Sequence, residues 1–185
     1  SSVMFDGSSL SFKENILGTK QVVNFAKEYG VSVEAELGTV GGTEEGIVVS
    51  QAEVFYTDPK DAVEFVAETG IDALAVAIGT NHGQYMSKTD ISFDQLKQIK
   101  EVVDIPLVIH GGTGVKDDDV KKVIDLGIRK FNVGTELLVG WNRQSKVCYE
   151  ENKENISNRD NVVPCLDKIE EIVSRKINLF KNMSE

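Results

Sequence analysis

Histidine is scarce in this chain of 185 residues, with two; cysteine also numbers two and tryptophan one. Cations are in deficit as well: 20 Lys and Arg against 30 Asp and Glu give a formal charge of -10. Scattered among acids, they cannot form the clustered basic surface that nucleic-acid phosphates require. An anionic ligand would need local help from a metal, backbone amides or a few arginines. No apolar run approaches the ~20 residues of a membrane span, and no secretory or transit signal, low-complexity tract or linker is visible. These absences imply a soluble protein. Cys148 and Cys165 have neither CxxC spacing nor a nearby histidine, so two reduced thiols in a cytoplasmic protein are expected.

What is present is a rhythm. Short β-rich runs at Ser2–Asp6, Val31–Leu37, Ala73–Gly79, Pro106–His110 and Lys130–Thr135 are each followed by a helical pattern. Ile16, Val22, Val23 and Phe25-Ala26 recur near helical spacing in the first helix, and Asp58-Pro59 opens the second. Further helices are expected near Ser92–Val103, Lys116–Leu126, Glu136–Glu150 and Pro164–Lys181. Gly30, Gly70 and Gly127 close helices just before a strand, as left-handed caps do. Alternating strands and helices specify a parallel sheet in an α/β fold.

The two histidines end successive apolar runs, in Ile78-Gly79-Thr80-Asn81-His82-Gly83 and Val108-Ile109-His110-Gly111-Gly112-Thr113-Gly114. An imidazole at a buried strand's end can bind a cation, while adjacent glycines let backbone N–H groups approach an anion. The alternative is two unrelated loop histidines. Polar and glycine-rich residues gather at every strand's C-terminal end: Asp6-Gly7-Ser8, Glu36-Leu37-Gly38, His82-Gly83, His110-Gly111-Gly112 and Asn132-Val133-Gly134-Thr135. In a β/α barrel that face carries the active site, whereas a doubly wound sheet concentrates it at one switch point. The spread favours a TIM (β/α)8 barrel, and residues 1–185 are expected to carry its last five units, with the first three absent from the chain. A smaller open sheet is the alternative.

In order and spacing, Val3-Met4-Phe5-Asp6-Gly7-Ser8, Val33-Glu34-Ala35-Glu36-Leu37-Gly38-Thr39-Val40-Gly41-Gly42, the two histidine motifs and Asn132-Val133-Gly134-Thr135 resemble the class II, zinc-dependent ketose-bisphosphate aldolases. The resemblance implies a TIM barrel working as a homodimer or homotetramer. It also implies reversible cleavage of fructose or tagatose 1,6-bisphosphate to dihydroxyacetone phosphate and glyceraldehyde 3-phosphate. By resemblance His82 and His110 are two ligands of a catalytic Zn2+, with a third histidine and a catalytic aspartate in an upstream segment, so residues 1–185 alone are expected to lack aldolase activity and to bind zinc poorly. Asp6 and Glu36 resemble supporting or alternative metal carboxylates, with a structural ion pair as the alternative.

Glu44, in the loop Gly41-Gly42-Thr43-Glu44-Glu45-Gly46, resembles the base that exchanges a proton with dihydroxyacetone phosphate, and Glu45 is its rival. Asn132 would hydrogen-bond the enediolate oxygen or, alternatively, serve a turn. Gly83, Gly111, Gly112, Thr113, Val133, Gly134 and Thr135 would cradle the phosphate, with a monovalent cation (Na+ or K+) in the same loops. Arg159 would reach a distal phosphate. Competing readings are a zinc-dependent sugar-phosphate epimerase and a noncatalytic sugar-phosphate-binding barrel remnant. Asp117-Asp118-Asp119 suits a helix N-terminus, and Trp141 and Tyr149 suit packing.

Overall fold

The computed structural model describes residues 1–44, 47–49, 55–82, 91–154 and 157–181, with only the backbone described at 41–44, 47–49 and 81–82. The principal sheet contains β1 (Ser2–Phe5), β2 (Ser32–Leu37), β5 (Ala73–Val76), β7 (Leu107–Ile109) and β8 (Ile128–Phe131) in that spatial order. All neighbours are parallel. Each successive strand of this sheet is added on the same side of the last. That is single winding, the order of a barrel; a doubly wound sheet would reverse direction part-way.

Helices fill the connections: α1 (Phe12–Lys27), α2 (Pro59–Thr69), α3 (Phe93–Val102), α4 (Asp117–Asp125) and α5 (Thr135–Glu151), with α6 (Asn158–Lys181) last. Their starts are written in short polar signals. Ser11 and Glu14 form a capping box on α1, Asp58 caps α2 ahead of Pro59, and Ser92 caps α3. Gly70 caps α2 in the left-handed conformation, at φ 66. The aspartates 117–119 occupy the first turn of α4 as the helix dipole favours.

The sheet's two faces differ in chemistry. Val33, Ala35, Leu37, Leu74, Val76, Leu107, Ile109 and Ile128 join Phe65, Leu96, Ile99, Val120 and Val123 of the helices in one core. Each fully buried large aliphatic or aromatic side chain there contributes about 1.5–3 kcal/mol. By strand alternation Glu34, Glu36, Ala75 and Val108 belong to the other face. That face carries the functional candidates.

Several expected boundaries move. The last strand, expected at Lys130–Thr135, runs Ile128–Phe131, because positive-φ Gly127 releases the chain into it early and Thr135 already begins α5. The last helix begins at Asn158, so Pro164 lies within it. A second sheet was not anticipated: β3 (Gly41–Glu44) pairs antiparallel with β4 (Ile47–Val49) and parallel with β6 (Asn81–His82). The segment expected to be a loop around Glu44 is therefore a hairpin arm, its glycines supplying ladder hydrogen bonds where side-chain alternation gives no strand signal.

Candidate active site

At the C-terminal end of β7, His110 is 6% exposed and lies between two carboxylates of β2. Its Nε2 is 3.0 Å from Glu34 Oε1, and its Nδ1 is 2.8 Å from Glu36 Oε2. Burial alone would push the imidazole pKa down. The hydrogen bonds and charges of Glu34 and Glu36 outweigh it and raise the pKa to about 9, so both ring nitrogens donate. Burial likewise pushes the Glu34 carboxyl up, but hydrogen bonds from His110 and Lys130 leave it below the ordinary glutamate value.

The contact between His110 and Glu36 crosses β5, which lies between their strands. Ala75 is the residue that pairs with Glu36 on one side and Val108 on the other. A methyl group leaves room for the side chains to meet above it. From α1, buried Asn15 donates to the Glu36 carbonyl at 2.9 Å and fixes the strand end. Thr57 bridges the place where β2 and β5 diverge, donating its hydroxyl to the Leu37 carbonyl and accepting from the Ala77 N–H at 2.8 Å.

Lys130 extends the cluster from β8. Its Nζ lies 2.9 Å from Glu34 Oε2 and 2.8 Å from Asn132 Oδ1. Asn132, the candidate enediolate donor, thus joins His110 through Lys130 and Glu34. Its backbone is pinned too: the Asn132 N–H donates to the Ile109 carbonyl at 2.9 Å, and its own carbonyl accepts from Gly112 N–H at 3.0 Å. A Cβ on Gly112 would collide with the Phe131 ring and lie 2.7 Å from the Asn132 carbonyl. Gly112 therefore serves loop-to-loop contact, its amide already engaged.

The remaining cradle candidates meet at the start of α5. Thr113 Oγ1 accepts from the Glu136 N–H at 3.1 Å, joining the loop after β7 to this helix. Gly134 is the N-cap, with no side chain to cap it, and Val133, Gly134 and Thr135 stand at the start of α5, where a helix dipole favours an anion. Gly111 sits in the same loop at φ 68. Gly83 lies outside the described residues.

Backbone pairing brings His82 and the Glu44 strand together, Gly42 being the register partner of His82 and Glu44 that of Ile47. Their side chains, like Glu45, fall outside what is described. Asp6 is exposed beyond β1, and its Oδ1 accepts from the Ser8 N–H at 2.9 Å. Arg159 is exposed in the first turn of α6. The two last helices run antiparallel, since Glu136 at the start of α5 pairs with Lys176 while Asn152 just beyond its end bonds Asn161. Arg159 is thus near the opposite end of α5, about 25 Å along that 17-residue helix from the cradle.

Among the described residues no set of three or more His, Cys, Asp and Glu side chains is placed to hold a metal ion. The local chemistry nevertheless fits one. His110 Nδ1 and Glu36 Oε2 share a proton position between a nitrogen and an anionic oxygen, donors that suit a borderline divalent cation.

A family model for fructose-bisphosphate aldolase class-II matches residues 1–185. The chain belongs to the class II fructose-bisphosphate aldolase family. Within that family, the 6-phospho-5-dehydro-2-deoxy-D-gluconate aldolase of Bacillus subtilis is 42% identical over 180 residues, covering 97% of this chain and 61% of that protein. The YdjI aldolase of Escherichia coli K12 is 38% identical with a TM-score of 0.80, covering 99% of this chain and 62% of that one. A fructose-bisphosphate aldolase of Campylobacter jejuni, 24% identical with a TM-score of 0.70 over 99% of this chain and 60% of its own, shares the fold. The chain thus spans about three fifths of the length of these class II aldolases. The family supports an aldolase on a TIM-barrel framework, as the motifs imply.

Sequence reasoning missed Glu34, Lys130 and Thr57. Glu34 could have been found, because Val33-Glu34-Ala35-Glu36-Leu37 puts two acids on one face of an otherwise apolar strand.

Proposed function

We propose that this chain carries the metal-side and phosphate-side arc of a class II aldolase that cleaves a phosphorylated ketose and releases dihydroxyacetone phosphate. The observation carrying it is the convergence of the Glu34–His110–Glu36 cluster, Asn132 and the α5 N-terminus on one sheet face. The Bacillus relative's name describes a ketone at C5 beside a phosphate at C6. Cleavage between its C3 and C4 leaves the same three-carbon fragment as fructose or tagatose 1,6-bisphosphate. That shared fragment is the half of the substrate this arc fits.

His110, His82 and, as an alternative oxygen donor, Glu36 would hold Zn2+. Bound there, zinc supplies a Lewis acid that stabilises negative charge developing on the ketone oxygen. The amides of Val133, Gly134 and Thr135, with Thr113, bind the phosphate, and a monovalent cation in the same loops would offset its charge. Asn132 Nδ2 hydrogen-bonds the enediolate oxygen. Glu44, brought in on the hairpin, removes and returns the proton at C3 of dihydroxyacetone phosphate. Arg159 could reach a second phosphate only from another subunit, so the proposal includes a homodimer or homotetramer.

Incubation of the intact aldolase, with the upstream histidine and aspartate included, with each ketose phosphate, with and without EDTA, tests this reading. Cleavage to dihydroxyacetone phosphate that chelation abolishes and zinc restores is expected. Full activity in EDTA together with a borohydride-trapped covalent adduct would replace it with a lysine mechanism.

A further inference from the structure

Lys130 is a cation on the active face to which the chemistry above gives no task. Its Nζ lies 2.9 Å from Glu34 Oε2, 3.2 Å from Glu34 Oε1 and 2.8 Å from Asn132 Oδ1. An ammonium has three hydrogens and no lone pair. The Asn132 atom that faces it must therefore be the oxygen, which settles an orientation that is otherwise ambiguous for a carboxamide.

The consequence for Asn132 is specific. Its backbone is held at both ends, by Ile109 and Gly112, but a backbone bond cannot choose between the two faces of the side-chain amide. Lys130 makes that choice. With Oδ1 occupied, only Nδ2 remains to meet a ligand, and it donates to nothing among the described residues. An enediolate oxygen accepts and cannot donate, so a flipped amide would set oxygen against oxygen. The same ammonium neutralises Glu34, whose other contact is His110 Nε2.

We infer that Lys130 is a positioning residue, locking the Asn132 carboxamide with its NH2 group toward the substrate while keeping Glu34 on His110. The inference rests on the aldolase reading for its catalytic meaning and on the three Lys130 contacts for its structural one. Lys130→Arg retains donors but carries them on a longer, planar group, so it should restore amide orientation only in part.

Two independent readouts test it in Lys130→Met, Lys130→Arg, Asn132→Ala and the Lys130→Met/Asn132→Ala double variant. The first is the pair of Asn132 side-chain amide signals in 1H–15N spectra, assigned by their loss in Asn132→Ala. Lys130→Met should shift the pair and speed its hydrogen exchange, with Lys130→Arg in between. The second is C3 proton exchange of dihydroxyacetone phosphate by the zinc-loaded protein. Lys130→Met should slow it by about 10- to 100-fold, less than the ~10²–10³-fold cost of deleting an oxyanion donor outright, with little change in half-saturation. The double variant should be slower than Asn132→Ala by much less than Lys130→Met is slower than the wild type. An unshifted amide pair in Lys130→Met, or effects that multiply fully in the double variant, would overturn the inference. If the intact wild-type aldolase, upstream segment included, exchanges no C3 proton, the aldolase reading falls, and the amide signals alone decide the role of Lys130.

Discussion

Glu34 of β2 and Lys130 of β8 form an ion pair of 2.9 Å although β5 and β7 lie between their strands. Neighbouring strands are ~4.8 Å apart, so a flat sheet would separate these two backbones by roughly 14 Å. Two side chains reaching toward each other cover part of that distance, and curvature of the sheet covers the rest. The active face is therefore concave, and residues from nonadjacent strands meet over it.

Glu44 should act as the C3 base. Glu44→Gln is expected to leave zinc binding and dihydroxyacetone phosphate binding largely intact while slowing isotope exchange at C3 by ~10²–10⁴-fold. Undiminished exchange in Glu44→Gln, with loss in Glu45→Gln, would move the role one residue along the hairpin.

The metal-free protein should lose stability as pH rises from about 6.5 to about 9. His110 has its pKa raised to about 9 by Glu34 and Glu36 against the opposing effect of burial. A raised pKa means that the folded state binds the proton more tightly, so the contribution is complete below 6.5 and gone above the folded value. Urea midpoints across that range measure it, and Glu34→Gln should flatten the slope. A slope unchanged in that variant would assign the effect elsewhere.

Gly112→Ala should be costly despite its small size. The added methyl meets the Phe131 ring and the Asn132 carbonyl, neither free to withdraw, since Phe131 also packs against Phe180 at a centroid distance of 5.7 Å. A loss of about 1–3 kcal/mol is expected from overpacking. Denaturant titration checks the energy, and displaced Asn132 amide signals would locate the strain.

Thr80→Val should stabilise the fold. The Thr80 hydroxyl is buried and has no hydrogen-bond partner among the described residues. Replacing it with a methyl removes a desolvation penalty of about 1–3 kcal/mol, and each 1 kcal/mol raises Tm by about 2–4 °C in a chain of this size. A fall in Tm would mean that the hydroxyl has a partner in the working protein.

The principal sheet was legible because its buried strands are short β-branched runs bounded by glycine and capping residues. Asp58-Pro59 and Gly70 bracket α2 almost to the residue. The β3–β4 hairpin was not legible, since Gly41-Gly42-Thr43-Glu44 reads locally as a flexible turn and becomes a strand only by pairing with Ile47–Val49 and Asn81–His82. Within the site, His110 and Asn132 stood out through their glycine-rich surroundings. Lys130 did not, because its role depends on Glu34, 96 residues away, meeting it over a curved sheet.

At the phosphate site proposed above, Glu136 would give the last helix a part in anion recognition. An acid in the first turn of a helix ordinarily answers the positive end of that helix's own dipole. Here the Glu136 carboxylate is instead held by Arg175 and by Lys176, the latter at 3.1 Å, while its N–H goes to Thr113. With its nearest internal anion drawn sideways by α6, the α5 terminus keeps its positive potential for a guest. Arg175 and Lys176, two cations outside the proposed cradle, would thereby tune how strongly it attracts a phosphate.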